Sequence, residues 1–199
     1  MATSNICAEL QDGFDLSCIR NLVKKYAQEA VIINYNDIDR AASTTSLVDG
    51  VTCDYTVQLT LKAGKSGVRI KLPGSGNSIK GFTAKSKTDN GFVQYLHQVQ
   101  ILATGVTAAQ KCILDKLDHG SYVIALQATD GTVEIYGFQN GITTGDYTLD
   151  LVEGGGATLI PLQSDETAQE DFLPFVYKPQ TGGDAVADFD ELFAAPETP

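Results

Sequence analysis

Alternation constrains this chain more than any other feature. In Tyr55-Thr56-Val57-Gln58-Leu59-Thr60-Leu61 every second residue is apolar, which puts Tyr55, Val57, Leu59 and Leu61 on one face of a strand. Residues 67–72 repeat the pattern with Val68, Ile70 and Leu72 inward, and the chain returns through 79–84 after the Gly/Ser-rich loop 73–78. Asp89-Asn90-Gly91 predicts a hairpin turn with positive φ at both residues of the Asn-Gly pair. Beyond it, Val93, Tyr95, His97, Val99, Ile101 and Ala103 share one face of a long strand. Gln94, Leu96, Gln98, Gln100 and Leu102 share the other, polar enough to meet water or a neighbouring subunit. Val31-Ile32-Ile33-Asn34-Tyr35 reads as a buried strand that closes at the turn-rich Asn36-Asp37-Ile38-Asp39. Further strands are predicted over 121–128, 131–138, 147–152 and 157–163, with Asp130-Gly131 and Asn140-Gly141 as joints.

One helix breaks the series. Thr107 with Gln110 three residues later has capping-box spacing, Ala109, Cys112, Ile113, Lys116 and Leu117 form a stripe, and Gly120 supplies a left-handed stop. A second helix is predicted over 17–28, where Ile19, Leu22, Val23 and Tyr26 share a face. The expected fold is mainly β: an antiparallel β-sandwich or partly rolled barrel with one packed α-helix, a long hairpin arm and an acidic C-terminal extension.

Charge divides the chain. Residues 163–199 hold nine acids against one base, Lys178, so residues 1–162 are read as the β-rich domain and 163–199 as the extension. The extension is not all polar. Residues 172–177 are too apolar for water and predict an edge strand or a crossing to a partner. Phe189, Leu192 and Phe193 fall at i, i+3 and i+4, a helical knob that needs a groove, its own or a neighbour's. The opposite bias lies at Lys62, Lys65, Arg69, Lys71, Lys80, Lys85 and Lys87, a stretch with no acid. Exposed aromatics that would accompany nucleic-acid binding are missing there apart from Phe82, and the net charge is −11. Self-complementarity explains this better, with a basic hairpin on one subunit facing the acidic segment of another; a solvated, functionally silent charged hairpin is the alternative.

Catalytic chemistry finds little support. Ala63-Gly64-Lys65-Ser66-Gly67 lacks the first glycine of a phosphate-binding loop, since Leu59 stands there, and a strand follows instead of a helix. His97 reads as a hydrogen-bonded structural residue and His119 as a cap on helix-end carbonyls. Asn34, Asn36, Asp37 and Asp39 form an Asx-rich turn without calcium-loop spacing. Cys7, Cys18, Cys53 and Cys112 have no metal-ligand spacing and read as buried thiols, a Cys7–Cys18 disulfide requiring an oxidising compartment. No enzyme activity, metal or cofactor is expected. The N-terminus has no basic and apolar leader, and no apolar run has membrane-span length, so synthesis in the cytoplasm is expected.

This layout of strands, one central helix, a glycine-tipped hairpin and acidic charge resembles the tail tube proteins of long-tailed bacteriophages. The stretch from Cys7 through Ile33-Asn34-Tyr35-Asn36-Asp37-Ile38 and the stretch from His97 to Gly141 carry the likeness, which spans most of residues 5–162. The resemblance implies a virion structural protein made in the host bacterial cytoplasm. Its sheets would join into an inner barrel, with hexameric rings stacked as a conduit for DNA ejection, beside other tail proteins and away from membranes. DNA would pass without specific binding. On this reading the basic residues from Lys62 to Lys87 form an arm to the next ring, Phe189, Leu192 and Phe193 dock on a neighbour, and Asp146 and Asp150 face the lumen. The long acidic extension departs from that pattern and fits a capsid decoration, connector or baseplate protein as well. The rival class is a monomeric β-sandwich module binding a small ligand or glycan through Tyr95, Tyr122 and Tyr136.

Overall fold

A computed structural model describes residues 26–49, 52–71, 79–88, 90–104, 107–150, 157–179 and 183–193. The chain is mainly β, with two sheets and two helical segments. The strands are β1 (Tyr26–Asn34), β2 (Thr44–Asp49), β3 (Thr52–Gln58), β4 (Val68–Lys71), β5 (Ile79–Lys87) and β6 (Val93–Thr104). After helix α1 (Ala108–Asp118) come β7 (Tyr122–Ala128), β8 (Val133–Tyr136), β9 (Thr143–Thr144), β10 (Ala157–Gln163) and β11 (Phe175–Tyr177). The short helix α2 (Ala185–Asp188) then runs into a π-helical turn, Phe189–Phe193.

Seven strands form one sheet in the order β2-β3-β11-β8-β7-β1-β4, and four form the other in the order β5-β6-β10-β9. Among the described residues both sheets are open, so the expected barrel does not close within this chain. The central strands of the larger sheet are apolar at consecutive positions because both faces are buried. Ile124 and Leu126 of β7 and Ile32 of β1 face Val99, Ile101, Ile160 and Leu162 of the smaller sheet. Val31, Ile33, Val123 and Ala125 point the other way, into a second core shared with Val57, Phe175, Phe189 and Phe193. Fully burying one such side chain stabilises the fold by roughly 1.5–3 kcal/mol.

Several expectations hold at the level of single residues. The Thr107 hydroxyl accepts from Gln110 N while the Gln110 side chain accepts from Thr107 N, a complete capping box. Strand β10 has the expected bounds, and β6 carries His97, Val99 and Ile101 buried on one face. The hairpin after β5 forms with Lys87 opposite Val93, and Gly91 is left-handed there (φ +83°).

Others are corrected. Residues 17–25 of the second expected helix lie outside the described residues, and Tyr26 begins strand β1. The buried side of α1 is Leu114 and Leu117; Ile113 and Cys112 are exposed, because the helix packs one turn edge rather than the whole stripe. Gly120 is not left-handed: a Cβ there would lie 1.9 Å from the Tyr122 hydroxyl, and that close approach accounts for the glycine. Val68 is 66% exposed, since β4 is an edge strand and its far end lies uncovered. Residues 147–150 form no strand, although Tyr147 and Leu149 still pack on the core. Alternation survived there without a ladder of hydrogen bonds.

The largest corrections concern the two charged segments. Lys62 to Lys87 do not form one hairpin, because β4 belongs to the seven-stranded sheet and β5 to the other. The segment after residue 163 does supply the expected strand, but not at an edge. Strand β11 lies inside the larger sheet, parallel to β3 and antiparallel to β8, and Phe189 and Phe193 are 0% and 1% exposed.

Candidate functional site

Two surfaces stand out, and both begin with residues that break the apolar regularity of the core. The first is a pocket of about 400 Å³ at the end of β1. Tyr35, in the 3-10 turn that ends β1, and Phe138, just after β8, form two walls, with Phe172 and Phe175 behind them. Arg40 lies over both wall rings, 4.4 Å from the centroid of Tyr35 and 4.6 Å from that of Phe138. Its Nη1 donates to the Phe138 carbonyl. Lys62 is the second cation of the lining, and its Nζ donates to Asn36 O at 2.6 Å. Among the described residues no carboxylate lines the pocket.

Buried polar groups fix its walls. Glu170 is 1% exposed, and its two carboxylate oxygens accept from Gln139 N at 2.9 Å and Asn140 N at 2.8 Å. Burial pushes its carboxyl pKa up, while those two N–H donors and the nearby Arg40 charge pull it down. His97 holds the same loop from the other side. Gly137 N donates to Nδ1 at 3.1 Å, so Nε2 carries the proton and donates to Phe172 O at 2.8 Å. Burial pushes the His97 pKa down to about 4, leaving a neutral ring. Gly137 and Gly141 bound this loop with φ +71° and +81°, where a side chain would be strained. Thus a histidine on β6 and a glutamate beyond β10 together place Phe138 and Gln139 in the pocket.

The second surface is the outer face of the four-stranded sheet. Opposite the packed face of β6, Gln94, Leu96, Gln98, Gln100 and Leu102 are half-exposed, beside Phe82 (39% exposed) and Leu159 (47%). Among the described residues strand β5 is an edge along all nine of its residues. At the hairpin tip Phe92 is 71% exposed.

The expected site residues fall in different places. Lys65 pairs with Asp37 at 3.3 Å, and Arg69 pairs with Glu29 at 3.1 Å and Asp190 at 2.8 Å. Acid and base therefore meet within one chain at Arg69, where the guanidinium also lies 5.7 Å from the Phe189 ring. Lys80, Lys85 and Lys87 are exposed on β5, and the Lys71 side chain lies outside the described residues. Phe189 and Phe193 dock in their own chain, Phe193 edge-on to Tyr177 at 4.8 Å; Leu192's side chain lies outside the described residues. Asp146 and Asp150 are exposed beyond β9. Tyr122 and Tyr136 are 7% and 2% exposed and part of the core, so they line no ligand site.

Among the isolated motifs, Asn34 donates to Asp37 and Asp39 accepts from Ala41 N and Ala42 N, as an Asx turn requires. His119 Nδ1 meets the Asp115 carbonyl at 2.7 Å, and that bond raises its pKa. Cys7 and Cys18 lie outside the described residues. Among those described, no cluster of His, Cys, Asp and Glu has the geometry to hold a metal ion, and no helix is long and apolar enough to cross a membrane. Arg40 and Glu170 escaped sequence reasoning. Arg40 stands alone between two loops, and Glu170 is hidden among nine acids that otherwise signal solvent. No family model, curated protein or solved structure matches this chain.

Proposed function

We propose that the chain is a self-assembling structural subunit, best read as a phage tail tube protein whose four-stranded sheets join edge to edge in a ring. The observation that carries this reading is the four-stranded sheet itself. Its inner face is packed, its outer face is half-bare, and among the described residues no strand pairs with the outer edge of β5 along its nine residues. Packing of the two sheets on one core supplies a sandwich-like subunit rigid enough to present that edge.

If this sheet faces a lumen, Gln94, Gln98 and Gln100 give DNA neutral amides there, with Lys80 as the cation on that face. Such a surface fixes few phosphates, so DNA slides instead of sticking. Asp146 and Asp150 add acid near the margin. The β5–β6 hairpin, with Lys85, Lys87 and exposed Phe92 towards its tip, replaces the longer arm as the contact to an adjacent ring. Ring symmetry, DNA ejection and placement in a virion made in a bacterial cytoplasm rest on the resemblance. A capsid decoration, connector or baseplate subunit would use the same edge.

The test is solution mass by light scattering with negative-stain images at low and high salt. Rings or tubes are expected, and Lys85→Glu combined with Lys87→Glu on the edge strand is expected to weaken them while the far-ultraviolet circular dichroism stays unchanged. A salt-indifferent monomer at high concentration would remove spontaneous assembly. The weight would then pass to the reading that the pocket favours, a monomeric binding module.

A further inference from the structure

The chain contains a worked example of how it holds a phenylalanine flanked by acids. Phe189 lies between Asp188 and Asp190 in sequence; its ring is fully buried, and Arg69 covers it while binding Asp190 at 2.8 Å. One guanidinium thus serves both the ring and its neighbouring carboxylate. The Arg40 pocket offers the same parts. It has a guanidinium over aromatic walls, a second cation in Lys62, about 400 Å³ of space and, among the described residues, no lining carboxylate. A phenyl ring fits such walls, and acids on both sides of it would meet two cations.

The sequence holds eight phenylalanines, and Phe14 is the one besides Phe189 with an acid within two residues on each side, Asp12 and Asp15. We propose that the Arg40 pocket is the docking site for the Asp12-Gly13-Phe14-Asp15 segment of a neighbouring copy of this chain. Reach favours a neighbour over the same chain. The pocket lies at the far end of β1 from Tyr26, nine residues or about 30 Å away. The stretch from Phe14 to Tyr26 spans at most about 40 Å when fully drawn out, so docking in its own chain demands about three quarters of full extension, well beyond the roughly 20 Å of a relaxed coil. The inference rests on the self-assembly reading and gives that assembly a second contact besides the sheet edge. It also explains why two buried polar residues, His97 and Glu170, hold the loop bearing Phe138 in place: a site for a partner's side chain needs rigid walls.

The experiment uses the full chain carrying Phe14→Ala, isotopically labelled, titrated with a synthetic peptide of residues 8–17 and followed by amide shifts. Saturable shifts confined to Tyr35, Arg40, Lys62, Phe138 and Gln139 are expected. The dissociation constant should rise at least tenfold for a peptide with alanine at Phe14, and severalfold as salt rises. Arg40→Gln should weaken binding at least tenfold. Because that variant also loses the bond to the Phe138 carbonyl, Thr45→Tyr provides a second check by filling the pocket from the exposed face of β2 while leaving Arg40 intact. Shifts scattered elsewhere, or equal affinity for the alanine peptide or for both pocket variants, would overturn the inference. Peptide binding by a chain that never forms rings would uphold the site and remove the tube reading; rings from a chain that ignores the peptide would do the reverse.

Discussion

The seven-stranded sheet buries both faces of its central strands, whereas the four-stranded sheet buries one face. Ile124 and Val123 are neighbours on β7, and each is 0% exposed on its own side of the sheet. On β10, Ile160 is likewise 0% exposed but Leu159 beside it is 47% exposed. The first sheet carries the stability of the molecule, and its substitutions report on folding. The second keeps apolar surface and a bare edge in reserve, so its outer face reports on association. The fully buried polar pair between them, His97 and Glu170, belongs to the folding side of that division although it shapes a binding pocket.

The sharpest way to break this comparison is to truncate one residue from each layer. Phe189→Ala is expected to lose about 3–5 kcal/mol of unfolding free energy by denaturant titration, since it opens a cavity against the larger sheet. Leu159→Ala should lose under about 1 kcal/mol. Similar losses for both would show that the outer face is covered in the monomer and end the distinction.

Acid comes next in size. His97 is pushed down from 6.5 to about 4 by burial, so its neutral form stabilises the folded chain fully above pH 6.5. As pH falls from there towards 4, the unfolded chain takes up the proton first and stability drops, by up to about 3 kcal/mol for a shift of this size. Glu170 works in the opposite sense: its raised pKa means the folded chain binds that proton more readily, which adds stability as pH falls through its folded value. Melting curves between pH 7 and 4 for wild type and His97→Gln isolate the first contribution. The histidine-dependent slope should vanish in the variant; an unchanged slope would mean that the ring is not the titrating group.

Glu170→Gln tests the pocket's foundation. One amide oxygen can still accept from a backbone N–H, but the NH2 group faces the other donor, and a loss of about 1–3 kcal/mol follows. The amide exchange of Gln139 and Asn140 should rise with it, and unaltered exchange there would count against the role assigned to this carboxylate.

The smallest stability effect is expected from Lys85→Glu combined with Lys87→Glu on the exposed edge strand, within about 0.5 kcal/mol. If the edge is an interface, its association should change markedly in light scattering while the melting temperature stays put. A large fall in melting temperature would instead place these lysines inside the fold.

Much of the architecture was legible because alternation and caps are local. The Thr107–Gln110 box, the bounds of β10 and the inward face of β6 each depend on residues within a few positions of one another. Errors arose where a neighbour in space decided the outcome. Val68 has the right period but lies on an uncovered edge, and Gly120 answers to the Tyr122 ring instead of a turn. The apolar run 172–177 announced a strand, but its place inside the larger sheet, where Phe175 and Tyr177 enter the core, depended on β3 and β8. The candidate pocket was the least legible feature. Its parts come from positions 35, 40, 62, 138 and 172, and no spacing rule connects them.

The sequence by itself determined the class of structure, the strand-forming segments, the capped helix and the opposed charges of two regions, because period, capping and charge act over a few residues. Tertiary structure alone decided which strand is an edge, which apolar residue is covered, and that Arg69 meets Asp190 within one chain while Arg40 lies open above aromatic walls. Those outcomes depend on contacts between segments about a hundred positions apart, and burial, which sets both the neutral His97 and the held Glu170, exists only once such segments have packed.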